Sequence, residues 1–161
     1  MKILFVRHAA AVDHENFKGG SDLDRPLTKE GRSKAETIFK RLAEVYHKPG
    51  IILSSEAVRA RQTAEILAKC LGNNEVVTTN ILNPGCCIES FEEMVKMHIK
   101  KYESMAVVGH EPDFSGIISA LVSDGSLRID VKKASCIEVD VNSILKGVLT
   151  FAIPPKWMIH E

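Results

Sequence analysis

The sequence predicts an α/β fold: a three-layer α/β/α sandwich with a mostly parallel central sheet and an antiparallel hairpin at its C-terminal edge. Three observations predict it. Four short apolar runs, Ile3-Leu4-Phe5-Val6, Ile51-Ile52-Leu53, Val76-Val77-Thr78-Thr79 and Met105-Ala106-Val107-Val108, have the length and β-favouring content of buried strands. Helical apolar stripes separate and follow these runs, and strands alternating with helices imply a parallel sheet covered on both faces. Beyond the last helix the pattern changes to alternation over residues 134–141, and 148–153 can pair with it as a hairpin.

Length and composition bound the function. A chain of 161 residues suits one domain, 1–161, with a single sizeable core. Its 45% hydrophobic and 26% charged residues are ordinary for a globular protein. Lys plus Arg and Asp plus Glu both number 21, so the formal net charge is zero. No overall positive field recruits nucleic acid or an anionic membrane, and any affinity for anions must be local. The N-terminal apolar run is too short for a signal-peptide core and is interrupted by Arg7 and His8. No stretch approaches the length of a transmembrane helix, and the expected location is cytoplasmic. Cys70, Cys86, Cys87 and Cys136 contain no C-x-x-C pair, so reduced thiols are expected, and a metal site on Cys86, Cys87 and a histidine lacks zinc-type spacing. The oligomeric state stays open, with a monomer compatible.

Taken in order, residues 2–7 form the first strand, which ends on Arg7 and His8. A polar loop over 8–27 follows, of a length often functional in compact domains. Thr28 is an N-cap, and a helix runs to about Tyr46 with Ala35, Ile38, Phe39, Leu42 and Val45 as its inward stripe. Pro49-Gly50 breaks the chain before the second strand. Ser55 opens the next helix, whose core face is Ala60, Ala64, Leu67, Ala68 and Leu71, with Gly72 as its stop. Arg59 falls in the first turn, where helix amides already favour an anion, while Arg61 faces elsewhere as a solvated cation. After the third strand and the Asn83-Pro84-Gly85 loop, Ser90 caps a helix with Phe91, Met94, Val95, His98 and Tyr102 inward. His98 on that stripe is expected to be packed and hydrogen-bonded, not catalytic. The fourth strand ends at Gly109-His110, and Pro112-Asp113 start a helix burying Phe114, Ile117, Ile118, Leu121 and Val122.

Parallel strands put their carboxyl ends on one edge, where open α/β sheets bind ligands. Arg7, His8, Ser55, Arg59 and His110 all arrive there, and Arg25 leaves from it. Five cation-capable side chains at one crevice in a neutral protein need a counter-charge, which a compact dianion such as phosphate supplies. Arginine forks suit phosphate oxygens, and histidine offers a nucleophilic nitrogen. Phosphoryl transfer asks mainly for positioning and charge stabilisation, so this set suffices without a metal or other cofactor. No phosphate-binding G-x-x-x-x-G-K-[ST] loop and no G-x-G-x-x-G is present.

These residues carry a resemblance. Arg7-His8-Ala9 resembles the R-H-G signature of the histidine phosphatase superfamily. Arg25-Pro26-Leu27-Thr28 with Gly31 is similar to its R-x-L-T-x-x-G segment. Ser55-x-x-x-Arg59-Ala60-x-Gln62-Thr63 is similar to its second-arginine motif, and Val108-Gly109-His110-Glu111-Pro112 to its second-histidine motif. Four motifs in the right order over about residues 1–125 are specific together. The short chain and R-H-A look most like the SixA-type phosphohistidine phosphatases, within a phosphoglycerate mutase-like fold. The resemblance implies that His8 is the nucleophile that becomes phosphorylated and that Arg7, Arg59 and His110 grip the phosphoryl oxygens. Arg25 matches the extra arginine of compact members, and His110 also handles a proton.

Three departures stand out: Ala9 replaces glycine, Glu56 stands where proline is common, and no clear carboxylate occupies the general-acid place. After Leu82 the chain reads Asn83-Pro84-Gly85, leaving Glu89 or Glu111 as substitutes. A phosphoramidate nitrogen leaves more easily than an alkoxide and needs less protonation. The leading expectation is therefore hydrolysis of protein phosphohistidine. The alternatives are a phosphatase of small esters or anhydrides, and a non-catalytic phosphate-binding module.

Overall fold

The computed structural model describes residues 1–72 and 75–159. Its frame is a six-stranded sheet of β1 (Lys2–Arg7), β2 (Ile51–Ser55), β3 (Val77–Thr79), β4 (Ser104–Gly109), β5 (Cys136–Val141) and β6 (Gly147–Ile153), in the order β3-β2-β4-β1-β5-β6. The first four pair in parallel, and β5 and β6 add an antiparallel edge beside β1. The predicted sandwich is the observed one.

Alternation along the central strands explains the two covered faces. Leu4, Val6, Ile52, Ala106 and Val108 point to the face packed by α1 (Lys29–Val45) and α2 (Val58–Leu71). Ile3, Phe5, Leu53, Met105 and Val107 point to the face packed by α3 (Ile88–His98) and α4 (Asp113–Ser123). On that second face Phe5 stacks on Phe91 and meets Phe114 edge-on, with centroids 5.3 and 5.2 Å away. Such aromatic pairs add about 0.5–1.5 kcal/mol each beyond area burial. From Ile3 to Val6 in β1 and from Met105 to Val108 in β4 every residue is apolar and buried, so the polar chemistry collects where these two strands run out.

Helix boundaries follow local chemistry. Thr28 caps α1, its hydroxyl accepting from Gly31 N at 2.9 Å. A side chain at Gly31 would meet the Ala10 carbonyl at 2.1 Å, so only glycine lets α1 approach the loop after β1 this closely. Gly72 ends α2 in the left-handed region, φ 72°.

Four local expectations are corrected. Val45 is 75% exposed, because α1 ends there and Tyr46 takes the inward place against Phe151. Ser55 is the last residue of β2 and not the start of a helix; its hydroxyl caps from outside, accepting from Ala57 N at 3.1 Å. Cys87, not Ser90, is the N-cap of α3, since Ile88 already packs against the core in the first turn. Tyr102 lies beyond the end of α3, in a turn whose amide donates to the His98 carbonyl.

Candidate active site

The register of β1 against β4 pairs Arg7 with Gly109. One step further, the His8 amide donates to the Gly109 carbonyl at 3.0 Å, and His8 and His110 face each other with ring centroids 5.1 Å apart. Both are nearly sealed, 8% and 3% exposed. His8 continues the alternation of Leu4 and Val6 toward the α1/α2 face, and Ala9 N is anchored to the Thr63 hydroxyl of α2 at 3.0 Å.

The ring of His8 is oriented by its own strand end. Nδ1 lies 2.8 Å from the Ala9 carbonyl, which can only accept. Nδ1 therefore carries the proton, and the Nε2 lone pair is left available. Burial is the largest influence on this imidazole; with the charges of Arg59 and Arg7 it outweighs the Ala9 carbonyl and lowers the pKa to about 4. His110 is pushed to about 3, by burial first and then by the charges of His8 and Arg59, with Asp22 opposing. Both rings are neutral near pH 7, which a nucleophile requires.

Arg7 and Arg59 flank the pair. Arg7 donates from one terminal nitrogen to the Val131 carbonyl at 2.8 Å, and its own carbonyl accepts from Ala134 N. The segment before β5 thus fixes Arg7 from one side. Arg59, in the first turn of α2, is 3% exposed and donates to the Asp22 carbonyl at 2.7 Å and its carboxylate at 2.9 Å. In both arginines Nε is buried without a partner. A buried orphan donor costs on the order of 1–3 kcal/mol, and the charges of both arginines reach the His8 imidazole. Arg61 lies on the exposed side of α2, 3.8 Å from Glu65, as expected.

Arg25 joins the edge through the same acid. Its Nε donates to Asp22 Oδ1 at 2.7 Å and a terminal nitrogen to the Val12 carbonyl at 2.6 Å. Burial alone would raise the Asp22 carboxyl, but the bond from Arg25 and the charge of Arg59 hold it below the ordinary carboxylate range. Asp22, not assigned from the sequence, is thus an internal counter-charge to Arg25 and Arg59, beside the anion the sequence leads one to expect. Its signal was weak, since it is one acid among several in a polar loop. The loop is tied down by the Ser21–Asp24 capping box and by Gln62, whose Oε1 accepts from Leu27 N at 2.9 Å.

The second group missed in the sequence is Asn83. Its Oδ1 accepts from the Ser55 hydroxyl at 2.8 Å and from Glu56 N at 2.9 Å, and its Nδ2 donates to Glu56 Oε2 at 2.9 Å. Ser55 Oγ in turn lies 2.9 Å from His110 Nε2. The loop read as lacking an acid therefore supplies an amide that reaches His110 through one hydroxyl.

The nearby carboxylates are engaged as acceptors. Glu111 accepts from Ser115 N at 2.8 Å, and Asp113 from Gly85 N and Cys86 N at 2.9 and 3.2 Å. Glu89 sits exposed in the first turn of α3. His98 is part-buried with Nδ1 2.7 Å from the Met94 carbonyl, a packed residue away from this edge. Among the described residues no cluster of three or more metal-type ligands occurs, and no helix is long and apolar enough to cross a membrane.

A sequence profile of the histidine phosphatase superfamily (branch 1) matches residues 3–106. An uncharacterized protein of Picosynechococcus sp. is 29% identical over 167 residues, 99% of both chains. The mitochondrial serine/threonine-protein phosphatase PGAM5 of Xenopus laevis is 36% identical over 85 residues, 52% of this chain and 31% of that protein. Among solved structures, the protein histidine phosphatase SixA complexed with tungstate superposes with a TM-score of 0.85 at 20% identity, covering 99% of this chain and 100% of SixA. The α-ribazole phosphatase of Shigella flexneri does so at 0.72 and 15%, covering 96% and 97%. At these identities the structural likeness is one of fold.

Proposed function

The chain belongs to the histidine phosphatase superfamily, and from that premise we propose that it hydrolyses phosphoryl groups through a covalent phosphohistidine on His8, with protein phosphohistidine as the preferred substrate. The observation that carries the reading is a neutral, buried His8 that faces His110 at 5.1 Å and lies within the charge of both Arg7 and Arg59. The substrate phosphoryl oxygens accept from the guanidinium groups of Arg7 and Arg59, and the charge developing in the transition state strengthens these bonds. His8 Nε2 attacks phosphorus in line with the leaving group, the bond to that group breaks, and its electron pair departs with it. Water then attacks the phosphohistidine, His8 recovers its lone pair, and the water proton passes to His110. Arg25, held by Asp22, adds charge at the rim.

Preference for phosphohistidine rests on proton supply. Asp22 is held ionised between two arginines, while Glu111 and Asp113 each turn one oxygen to backbone amides and away from an acid's role. An alkoxide leaving group finds no ready acid among them, whereas a phosphoramidate nitrogen needs little help. A second reading, hydrolysis of phosphoserine or small phosphate esters, is favoured by the 36% identity to a serine/threonine-protein phosphatase. The two separate in one experiment: released phosphate is measured with a phosphohistidine protein, a phosphoserine peptide, an aryl phosphate and pyrophosphate, with and without EDTA. The first reading expects phosphohistidine and aryl phosphate to turn over fastest, unaffected by EDTA. Phosphoserine hydrolysed as fast as phosphohistidine makes the second reading the better one, and loss of activity in EDTA contradicts both.

A further inference from the structure

The hydrogen bonds around Ser55 leave no freedom in their direction. Asn83 cannot be turned over, because its amide group faces Glu56 Oε2 and its oxygen faces Glu56 N, and a flip would set like against like twice. Asn83 Oδ1 is therefore an acceptor, and the single Ser55 proton goes to it at 2.8 Å. Ser55 Oγ already accepts from Ala57 N at 3.1 Å, so its remaining contact, 2.9 Å from His110 Nε2, is filled by an imidazole N–H. His110 Nδ1 makes no hydrogen bond to a described residue.

We propose that Asn83 is a positioning residue: by taking the Ser55 proton it fixes His110 as the Nε2–H tautomer, so that Nδ1 takes up the proton of the reaction. The consequence for turnover rests on the phosphatase reading. When water attacks the phosphohistidine, the new O–P bond forms as the P–Nε2 bond to His8 breaks. The bonding pair returns to His8 and one water proton moves to His110 Nδ1, later to be lost to solvent. A His110 of the opposite tautomer would present no lone pair there. The low proton affinity of His110 in the ligand-free protein keeps that lone pair open until the anion arrives. The Asn83 loop thus acts in place of a carboxylate by orienting a base, as outer hydrogen bonds orient metal-bound histidines.

Long-range proton–nitrogen NMR of the wild type at pH 7 tests this directly. The expected spectrum shows His110 protonated on Nε2 and bare on Nδ1. Asn83→Leu frees the Ser55 proton to turn toward His110, so the spectrum becomes a tautomer mixture. kcat then falls roughly tenfold to a hundredfold, while KM stays within about twofold because Arg7 and Arg59 are untouched. Asn83→Asp combined with Glu56→Gln, which keeps the accepting oxygen toward Ser55 and exchanges amide and carboxylate across the Asn83–Glu56 contact, retains the Nε2–H tautomer and most of kcat. A wild-type His110 protonated on Nδ1, or an Asn83→Leu protein with tautomer and kcat unchanged, overturns the proposal. The wild-type spectrum decides even if Asn83→Leu does not fold. It also decides if no phosphate is released from any substrate, so the tautomer assignment and the phosphatase reading fail separately.

Discussion

Arg59 donates to Asp22 twice, to the backbone carbonyl at 2.7 Å and to the carboxylate at 2.9 Å. The same carboxylate accepts from Arg25 at 2.7 Å, so one internal anion occupies two guanidinium groups proposed to meet phosphate. Asp22→Asn keeps the backbone contact and the side-chain shape and removes one negative charge. Inhibition by inorganic phosphate is then expected to strengthen roughly threefold to tenfold, as charge-assisted bonds shift from Asp22 to the ligand. The check is the phosphate Ki against an aryl phosphate substrate. A weaker inhibition would mean that the carboxylate is needed chiefly to hold Arg59 in place.

The helix phase of α2 separates two arginines only two residues apart. Arg59 is buried at the site, and Arg61 is exposed beside Glu65. Arg59→Ala and Arg7→Ala are expected to lower kcat by about 10²–10³, the usual loss for a preorganised donor. Arg61→Ala should stay within roughly a factor of two, as surface ion pairs contribute little. Equal losses at Arg59 and Arg61 would contradict this assignment of roles.

Both site histidines are neutral in the folded protein, and this sets the sign of a pH effect on stability. His8 drops from 6.5 to about 4 on folding, and His110 from 6.5 to about 3. Between those values the unfolded chain binds more protons, so stability is full above pH 6.5 and is lost as the pH falls through the window. For His8 the loss is roughly 3 kcal/mol in all. Urea unfolding from roughly pH 7.5 to below the folded His8 value of about 4 measures it, and His8→Asn should reduce the slope to the part that His110 contributes. A slope unchanged by that substitution would contradict a buried neutral His8.

Much of this was legible in the chain. Ile3 to Val6 could be read as a buried strand because nothing polar interrupts it, and the position of Arg7 and His8 at its end followed. The spacing Ser55 to Arg59 gave the first turn of α2, and Thr28 gave the start of α1. Asp22 and Asn83 were not legible, since their roles depend on contacts 37 and 27–28 residues away. No local pattern encodes such contacts. Val45 misled because apolar periodicity does not say where a helix outruns its core; it is the last residue of α1 and 75% exposed, and the next residue, Tyr46, packs inward instead.

The engaged carboxylates predict how the site discriminates among leaving groups. With Glu111 committed to Ser115 N and Asp22 to two arginines, a plot of log(kcat/KM) against leaving-group pKa should fall steeply. Alkyl phosphates should lie at its slow end, and Glu111→Gln should change none of the rates by more than about threefold. A flat plot, abolished by Glu111→Gln, would identify Glu111 as a proton donor.

The central claim is that His8 carries the phosphoryl group. Its Nδ1 is tied to the Ala9 carbonyl at 2.8 Å, and its Nε2 is the free lone pair, within the charge of Arg7 and Arg59. Rapid acid-free quenching during turnover of labelled substrate, followed by peptide mapping, measures where phosphate rests between the two steps. The expected result is an acid-labile, alkali-stable label on His8 that appears at the rate of the first step. His8→Ala should fold, carry no label and lose nearly all turnover. A His8→Ala protein that still hydrolyses substrate at a substantial rate, or a wild type that turns over with label on another residue, would contradict the account.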